Sequence, residues 1–555
     1  MENLSTDTSQ IREWQSIITI IAFFLASNGR LLPPHPRTHQ HDHRPLIADL
    51  FLLATLSIGR PEVRNGILGA NGIDPIDVMV FFITLAYIAL SLDASGMIRY
   101  LACRVLRASK SGRRLYFYLY GFFFALTTCI GNDPIILSGT PFLAYITRVS
   151  NIEHPGAAWI YSQFAIANIA SAILVSSNPT NLVLTAAFGI RFIDYTANII
   201  VPVLFTVVLL FPFLLFVVFR DRRFIPRTIE MQKLEHHEGG LREVLNPYLD
   251  KKSAIFAALV MAATLVTRRR EREQEELRNE KSEQLPRRRQ APVVSPSSTE
   301  VEPSSDNDEI RPAPTPLVPQ PSSDDDEKSS ADTDLERQIS HQLQLRHSRP
   351  QPPEPTTLAS LLRDAQAWSR ATFPTATTVL SLLPFPLVPF AFAMFVLVEA
   401  LVTKGWVPVF AYGWHHWVNK TGTVGAIGGM GFVSVFSGTN IGTTILLCRI
   451  LQTWRQLHLD VGTPISDRTF WGAVYSMAVG VNYGAFSSAF SASLAGLLWR
   501  DILAKKGVWL RRTEFLRANV PIISVAMAVG LAVLVGEIYL VRGEQPYVLR
   551  EGVSE

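Results

Sequence analysis

Asn132 and Asp133 sit in "CIGNDPIILSGTP" (Cys129–Pro141), directly after the apolar run "LYFYLYGFFFALTT" (Leu115–Thr128). Amide, carboxylate and hydroxyl groups at the end of such a run can coordinate a small ion or solute. An acid in a spanning region is costly and is a functional candidate by default. Three further stretches carry the same chemistry: "VSSNPTNLVL" (Val175–Leu184), "FSGTNIGTTI" (Phe436–Ile445) and "NYGAFSSAFSAS" (Asn482–Ser493). They add Ser177, Asn178, Thr180, Asn181, Ser437, Thr439, Asn440 and Asn482 to the candidates for substrate or ion binding. All four stretches are dense in Gly, Ser, Thr and Asn, which break helices. A broken helix leaves free N–H groups and a positive dipole end that bind anions. Carbonyl and side-chain oxygens at the opposite ends suit Na⁺. Asp133 is the only acid among the four stretches. It reads as the group that takes up a proton or holds a cation that couples transport, and its plainer alternative is a helix cap.

Other residues invite weaker readings. Asp93 and Glu399 lie where apolar runs give way to polar sequence, and are expected at water-facing span ends. Arg449 and Arg500 each follow a broken stretch by a few turns, and are expected to snorkel to the interface or meet lipid phosphate. Cys129 and Cys448 would suit a soft ligand such as As(III) if they paired, and otherwise act as small apolar residues. "HPRTHQHDH" (His35–His43) lacks fixed helical spacing, so no metal site is expected. The three cysteines form no C-x-x-C, so neither a disulfide framework nor a zinc site is implied. No cofactor is expected beyond a coupling H⁺ or Na⁺.

These groups must be held by membrane-crossing elements. Of the 555 residues, 48% are hydrophobic, and they concentrate in long uncharged runs such as "YTANIIVPVLFTVVLLFPFLLFVVF" (Tyr195–Phe219). About 20 apolar residues cross about 30 Å of hydrocarbon. Spans are expected at Trp14–Ala26, Leu46–Ile58, Val78–Leu92, Leu115–Ile130, Ala157–Val175, Asn198–Phe219 and Ser253–Val266. Four more follow at Thr378–Val402, Val424–Phe436, Phe470–Phe486 and Val520–Val541. Met97–Arg107 alternates basic and apolar residues at helical spacing and reads as an interfacial helix. The fold class is therefore an all-α, multi-pass integral membrane protein whose first partner is the lipid bilayer. The N-terminal "MENLSTDTSQIREW" lacks the basic start of a cleavable signal, so insertion is expected to rely on the spans.

The net charge of +4 matters less than its placement. "RVLRASKSGRR" (Arg104–Arg114), "RDRRFIPR" (Arg220–Arg227) and "RRRERE" (Arg268–Glu273) flank spans, which favours the cytoplasmic side. They carry no interleaved aromatics, so nucleic acid is not an expected partner. Between roughly Arg268 and Pro355 the chain is rich in Pro, Ser, Gln, Arg and Asp and cannot bury a core. It reads as a long disordered cytoplasmic loop.

That loop separates two halves with matching landmarks. Asp93, Asp133 and Asn168 are spaced by 40 and 35 residues, and Glu399, Asn440 and Asn482 by 41 and 42. Paired broken segments are what a repeat-built secondary transporter shows. The expected divisions are 1–76 (N-terminal spans and polar loop), 77–219 (first repeat), 220–266 (linker and short span), 267–355 (disordered loop), 356–377 (linker), 378–541 (second repeat) and 542–555 (tail).

"LDASG", "GNDPIILSGTP", "NPTNLVL", "LLPFPLVPFAFAMFVLVEAL" (Leu382–Leu401) and "VGVNYGAFSSAFSASLAGLLWRDILAKKG" (Val479–Gly507) together resemble the ion transporter superfamily. That group includes bacterial arsenite permeases and citrate and dicarboxylate carriers, and the arsenite permease branch is the nearer likeness. The resemblance implies inverted repeats, re-entrant hairpins with a substrate site between their tips, and secondary active transport of an anion or of arsenite and antimonite. The chain departs from that branch in three places. Thr180 stands where a proline is usual, "FSSAFSAS" lacks a Thr-Pro-Ile-Gly, and Val266 runs into "TRRRERE" where a further helix is usual.

The expected function is thus a transporter, not an enzyme, moving a small anionic or metalloid solute by alternating access. A homodimer is the expected assembly, in the plasma membrane or an endomembrane. A channel would need polar stripes along its spans, and none occurs. An intramembrane aspartyl protease needs two facing Asp, whereas Asp133 has Asn440 as its repeat counterpart.

Overall fold

The structure is a computed structural model. It describes residues 8–27, 44–69, 73–95, 97–107, 111–149, 157–227, 255, 259, 358–383, 385, 387–436, 440–486, 490 and 493–547. The described residues form α-helices and short 3₁₀ or π turns, with no strand among them. In chain order the helices are α1 (Trp14–Ser27), α2 (Arg44–Ala54), α3 (Arg60–Leu68), α4 (Pro75–Ala94), α5 (Met97–Arg107), α6 (Gly112–Ile130), α7 (Asn132–Val149), α8 (Ala157–Ala170), α9 (Pro179–Phe188) and α10 (Phe192–Phe213). There follow α11 (Leu358–Thr372), α12 (Pro374–Leu382), α13 (Leu387–Thr403), α14 (Trp406–Phe436), α15 (Asn440–Val461), α16 (Asp467–Gly484), α17 (Leu494–Lys505) and α18 (Arg512–Val541).

The chain divides into two units, 1–274 with 373–555, and 275–372. The described part of the second unit is essentially α11, a helix with mostly exposed side chains. Everything below concerns the first unit. The expected span at Ser253–Val266 and the polar block 267–355 lie outside the described residues.

Among the described residues, two helices are long and apolar enough to cross a bilayer unbroken: α10 with its terminal π turn, 27 residues, and α18, 30 residues. At 1.5 Å per residue they reach roughly 40 and 45 Å. Only 39% and 33% of their most apolar stretches are packed inside the protein, which leaves Phe205, Val208 and Leu540 facing outward as lipid-facing side chains would. The pair α13 and α14, bent by 75° at the break between them, is apolar enough only when taken together, as a broken span or a re-entrant loop would be.

Three of the expected spans are redrawn by the helix boundaries. Thr378–Val402 is two helices, α12 and α13, parted in the proline-rich "LPFPL". Ala157–Val175 stops as a helix at Ala170, and Val424–Phe436 is the last part of α14 beyond its kink at Gly422. The reason is composition: prolines, or small and hydroxyl residues, interrupt the apolar runs at mid-length.

The halves pack reciprocally. α3, which precedes α4, lies on α13, while α12, which precedes α13, lies on α4. Likewise α7 packs on α17 and α15 packs on α9. Small residues allow the closest contacts: a Cβ at Gly480 would meet Ser434 Cβ at 2.6 Å and Gly431 O at 2.8 Å, so α16 lies backbone-to-backbone against α14. An aromatic cluster ties α8, α17 and α18 together. Phe164 stacks on Trp499 at 4.7 Å and Phe490 meets Phe515 at 4.3 Å between ring centroids. Such contacts each add about 0.5–1.5 kcal/mol beyond area burial.

Candidate functional site

The first expected segment is a helix–turn–helix. α6 ends at Ile130, and Gly131 turns the chain with φ +106°, a conformation that L side chains rarely adopt. A Cβ there would also stand 3.0 Å from Ser177 O. α7 then starts with Asn132, buried, and Asp133, half-buried in its first turn. The second segment leaves α8 at Ala170, passes through a 3₁₀ turn at Val175–Ser177, and enters α9. Asn178 caps α9 by accepting from Thr180 N at 3.2 Å, with Pro179 at the first helical position. Ser177 Oγ donates to Thr128 O at 2.9 Å, tying this segment to the end of α6.

Asn482, on α16 in the second half, completes the arrangement. Its Nδ2 donates to Asn181 Oδ1 at 2.8 Å and to Ala478 O at 2.8 Å. Its Oδ1 accepts from Asn178 Nδ2 at 2.9 Å and Ser171 Oγ at 3.4 Å. Asn181 Nδ2 holds the freed carbonyls of Ser171 and Leu174 at 2.9 and 3.0 Å. Asn132 Nδ2 reaches Asn168 Oδ1 at 3.4 Å. Asn168, Asn181 and Asn482 are fully buried. A buried amide left unpaired is costly, and here each finds partners because the helices stop where its neighbours need bonds.

Of the expected site residues, Asn132, Ser177, Asn178, Thr180, Asn181 and Asn482 thus lie in two broken segments joined across the halves. Asp133 stands next to them in sequence at the positive end of α7, and its carboxylate forms no ion pair among the described residues. Asn440 begins α15, while Ser437 and Thr439 lie outside the described residues. Sequence reasoning used Asn168 only as a landmark and passed over Ser171. It also passed over Thr127 and Thr443, whose buried hydroxyls have no hydrogen-bond partner, as does that of Thr180. Serine and threonine in helices usually bond back to the preceding turn, so three unpaired hydroxyls beside three breaks are groups with capacity left.

Two other readings change. Arg449 does not snorkel: its side chain is 5% exposed and pairs with Glu399, 8% exposed, at 3.3 Å. Glu399 is accordingly not at a water-facing end. Both expectations treated each charge alone, whereas each is buried against the other. Asp93 lies in the last turn of α4. Cys129 is exposed and Cys448 buried, both as free thiols. His35–His43 lies outside the described residues, and no group of three metal-ligating side chains occurs among those described.

An all-helical body with lipid-facing long helices and a buried amide junction between broken ones defines a polytopic integral membrane protein. A family model described as citrate transporter matches residues 41–463, well over half of the chain. The chain belongs to the citrate transporter family. It is also similar to an arsenical pump membrane protein of Escherichia coli, 30% identical over 165 residues, covering 29% of this chain and 38% of that protein. An arsenical pump membrane protein of Shigella flexneri is 30% identical over 164 residues, again 29% of this chain and 38% of the relative. The chain thus spans less than half the length of these relatives. The family is described as citrate transporter and the relatives as arsenical pump membrane proteins.

Proposed function

We propose that the chain is a secondary active transporter that moves a small anion or metalloid oxyanion, of the arsenite or the citrate and dicarboxylate kind, by alternating access. One observation carries this reading: Asn482 of the second half bonds both Asn178 and Asn181 of the first, where helices of both halves break. The amides spend their hydrogen bonds on one another, so they organise the site. The solute would meet what remains, namely the N-terminal N–H groups of α7 and the Thr180 hydroxyl, together with Ser437, Thr439 and Asn440. Free N–H groups at helix starts favour an oxyanion.

Asp133 is the coupling group in this reading. The repeats would be 77–219 and 378–541, inverted and bearing re-entrant hairpins, with a homodimer as the assembly and the central loop on the cytoplasmic side. Reciprocal packing of α7 with α17 and of α15 with α9 supports the repeat.

The test is uptake into proteoliposomes of arsenite, citrate and succinate, with and without Na⁺ and a pH gradient. The wild type should accumulate at least one of these solutes in a gradient-dependent way. Asp133→Asn should lose the gradient dependence while still binding the solute. Full gradient dependence in Asp133→Asn would remove Asp133 from the coupling role.

A further inference from the structure

α9 and α15 both begin at broken segments, at Asn178 and Asn440, and they pack on each other across the two halves. A short polar chain, buried at its Arg449–Glu399 end and partly buried at Gln452, links the two helices away from those ends. Arg449 Nη2 donates to Glu399 Oε2 at 3.3 Å, joining α15 to α13. Arg449 Nη1 donates to Gln452 Oε1 at 3.4 Å. Gln452 Nε2 in turn donates to Ala187 O, in the last turn of α9, at 2.9 Å.

The ion pair is made through a single nitrogen, and Arg449 Nε is buried without a partner. A charge pair so placed is a poor source of stability, because desolvation offsets its attraction. Its best-attested use is to specify one register among several that apolar packing alone would allow. The pair also lacks a twin. With Asn440 aligned to Asp133, Arg449 aligns with Phe142, a buried apolar residue. Among the described residues, the first half shows no counterpart to this clasp.

We propose that Arg449 is a positioning residue of the transport site: through Glu399 and Gln452 it holds α15 in register with α9, and so sets the Asn440 end of one against the Asn178 end of the other. This rests on the transporter reading above.

The test uses the full chain, purified and reconstituted, with arsenite and citrate as probes. Arg449→Lys keeps the charge but shortens and reshapes the donor. Glu399→Gln/Arg449→Met removes both charges together, so that no lone charge is left buried and the protein folds. Each should raise KM about tenfold with little change in maximal rate, as a small misplacement of binding groups does. The swap Glu399→Arg/Arg449→Glu should bring KM back towards wild type. Amide hydrogen exchange gives a readout that needs no solute. Segments 178–183 and 440–445 should exchange about tenfold faster in Arg449→Lys, with α18 unchanged. Wild-type KM and wild-type exchange in the folded double variant would overturn the proposal. If the wild type moves neither probe, the transporter reading falls, and the exchange data alone decide whether Arg449 positions the helices.

Discussion

Asn482 uses both donors and both acceptor positions of its amide, spanning two halves of the chain with one side chain. Asn482→Ala strands Asn178 Nδ2 and Asn181 Oδ1 in the interior. Interhelical hydrogen bonds in membranes average about 0.6 kcal/mol, but orphaned buried groups cost about 1–3 kcal/mol each. The second term dominates here, so thermal unfolding of the purified variant should show a loss of about 2–6 kcal/mol, accompanied by loss of uptake. An unchanged melting temperature would deny Asn482 its place as the hub. At this scale the sequence showed a good deal. Asparagines inside apolar runs are conspicuous, and Asn132, Asn178, Asn181 and Asn482 stood out for that reason. Arg449 was misjudged because its partner is 50 residues away and nothing local announces the pair. Thr127 and Thr443 were overlooked because threonine in an apolar helix is ordinary until its hydroxyl is found unpaired.

Between elements, the joint of α14 and α15 includes a chain of imidazoles. Asn419 Nδ2 donates to His415 Nε2 at 2.8 Å, His415 Nδ1 donates to His458 Nε2 at 3.0 Å, and His458 Nδ1 donates to Thr463 O at 2.8 Å. The donors and acceptors match with both rings neutral. An added proton would leave two N–H groups facing each other across the joint. Nearby charges are engaged elsewhere: Arg455 lies over the Tyr547 ring, and Asp460 accepts from Gln456. Burial, and His415 beside it, hold the His458 imidazole below its ordinary range, so His458 takes up a proton more readily when the helices part. The contribution of the pair is present above the ordinary imidazole range, about pH 6.5, and is lost as pH falls through it. Amide exchange over 411–420 and 455–463 should accelerate from pH 7.5 to 5.5, and His458→Gln should abolish the difference. An equal acceleration in the variant would assign the effect elsewhere. Element boundaries were only partly readable in advance. α10 and α18 announced themselves by unbroken apolar length, whereas the parting of α12 from α13 and the 75° bend into α14 are settled by packing, which hydropathy does not report.

Taken whole, neither half is self-sufficient, since α3 is covered by α13, α12 by α4, α7 by α17 and α15 by α9. Two chains split within 267–355 and made in the same cell should therefore co-purify as a stable complex. The second alone should fail to yield a monodisperse protein in detergent, and a well-behaved second half by itself would contradict the exchange. This relation was only hinted at by the repeated Asn landmarks, because spacing along a chain does not say which half an element will lie on. The same exchange has a consequence for biosynthesis. Asn178 waits for a partner 304 residues further on. At about 5–20 residues per second the ribosome needs roughly 15–60 s to deliver it. Throughout that interval a finished first half sits in the bilayer with its central amides unmatched, so slow elongation, rather than weak packing, is where this protein is most exposed to quality control.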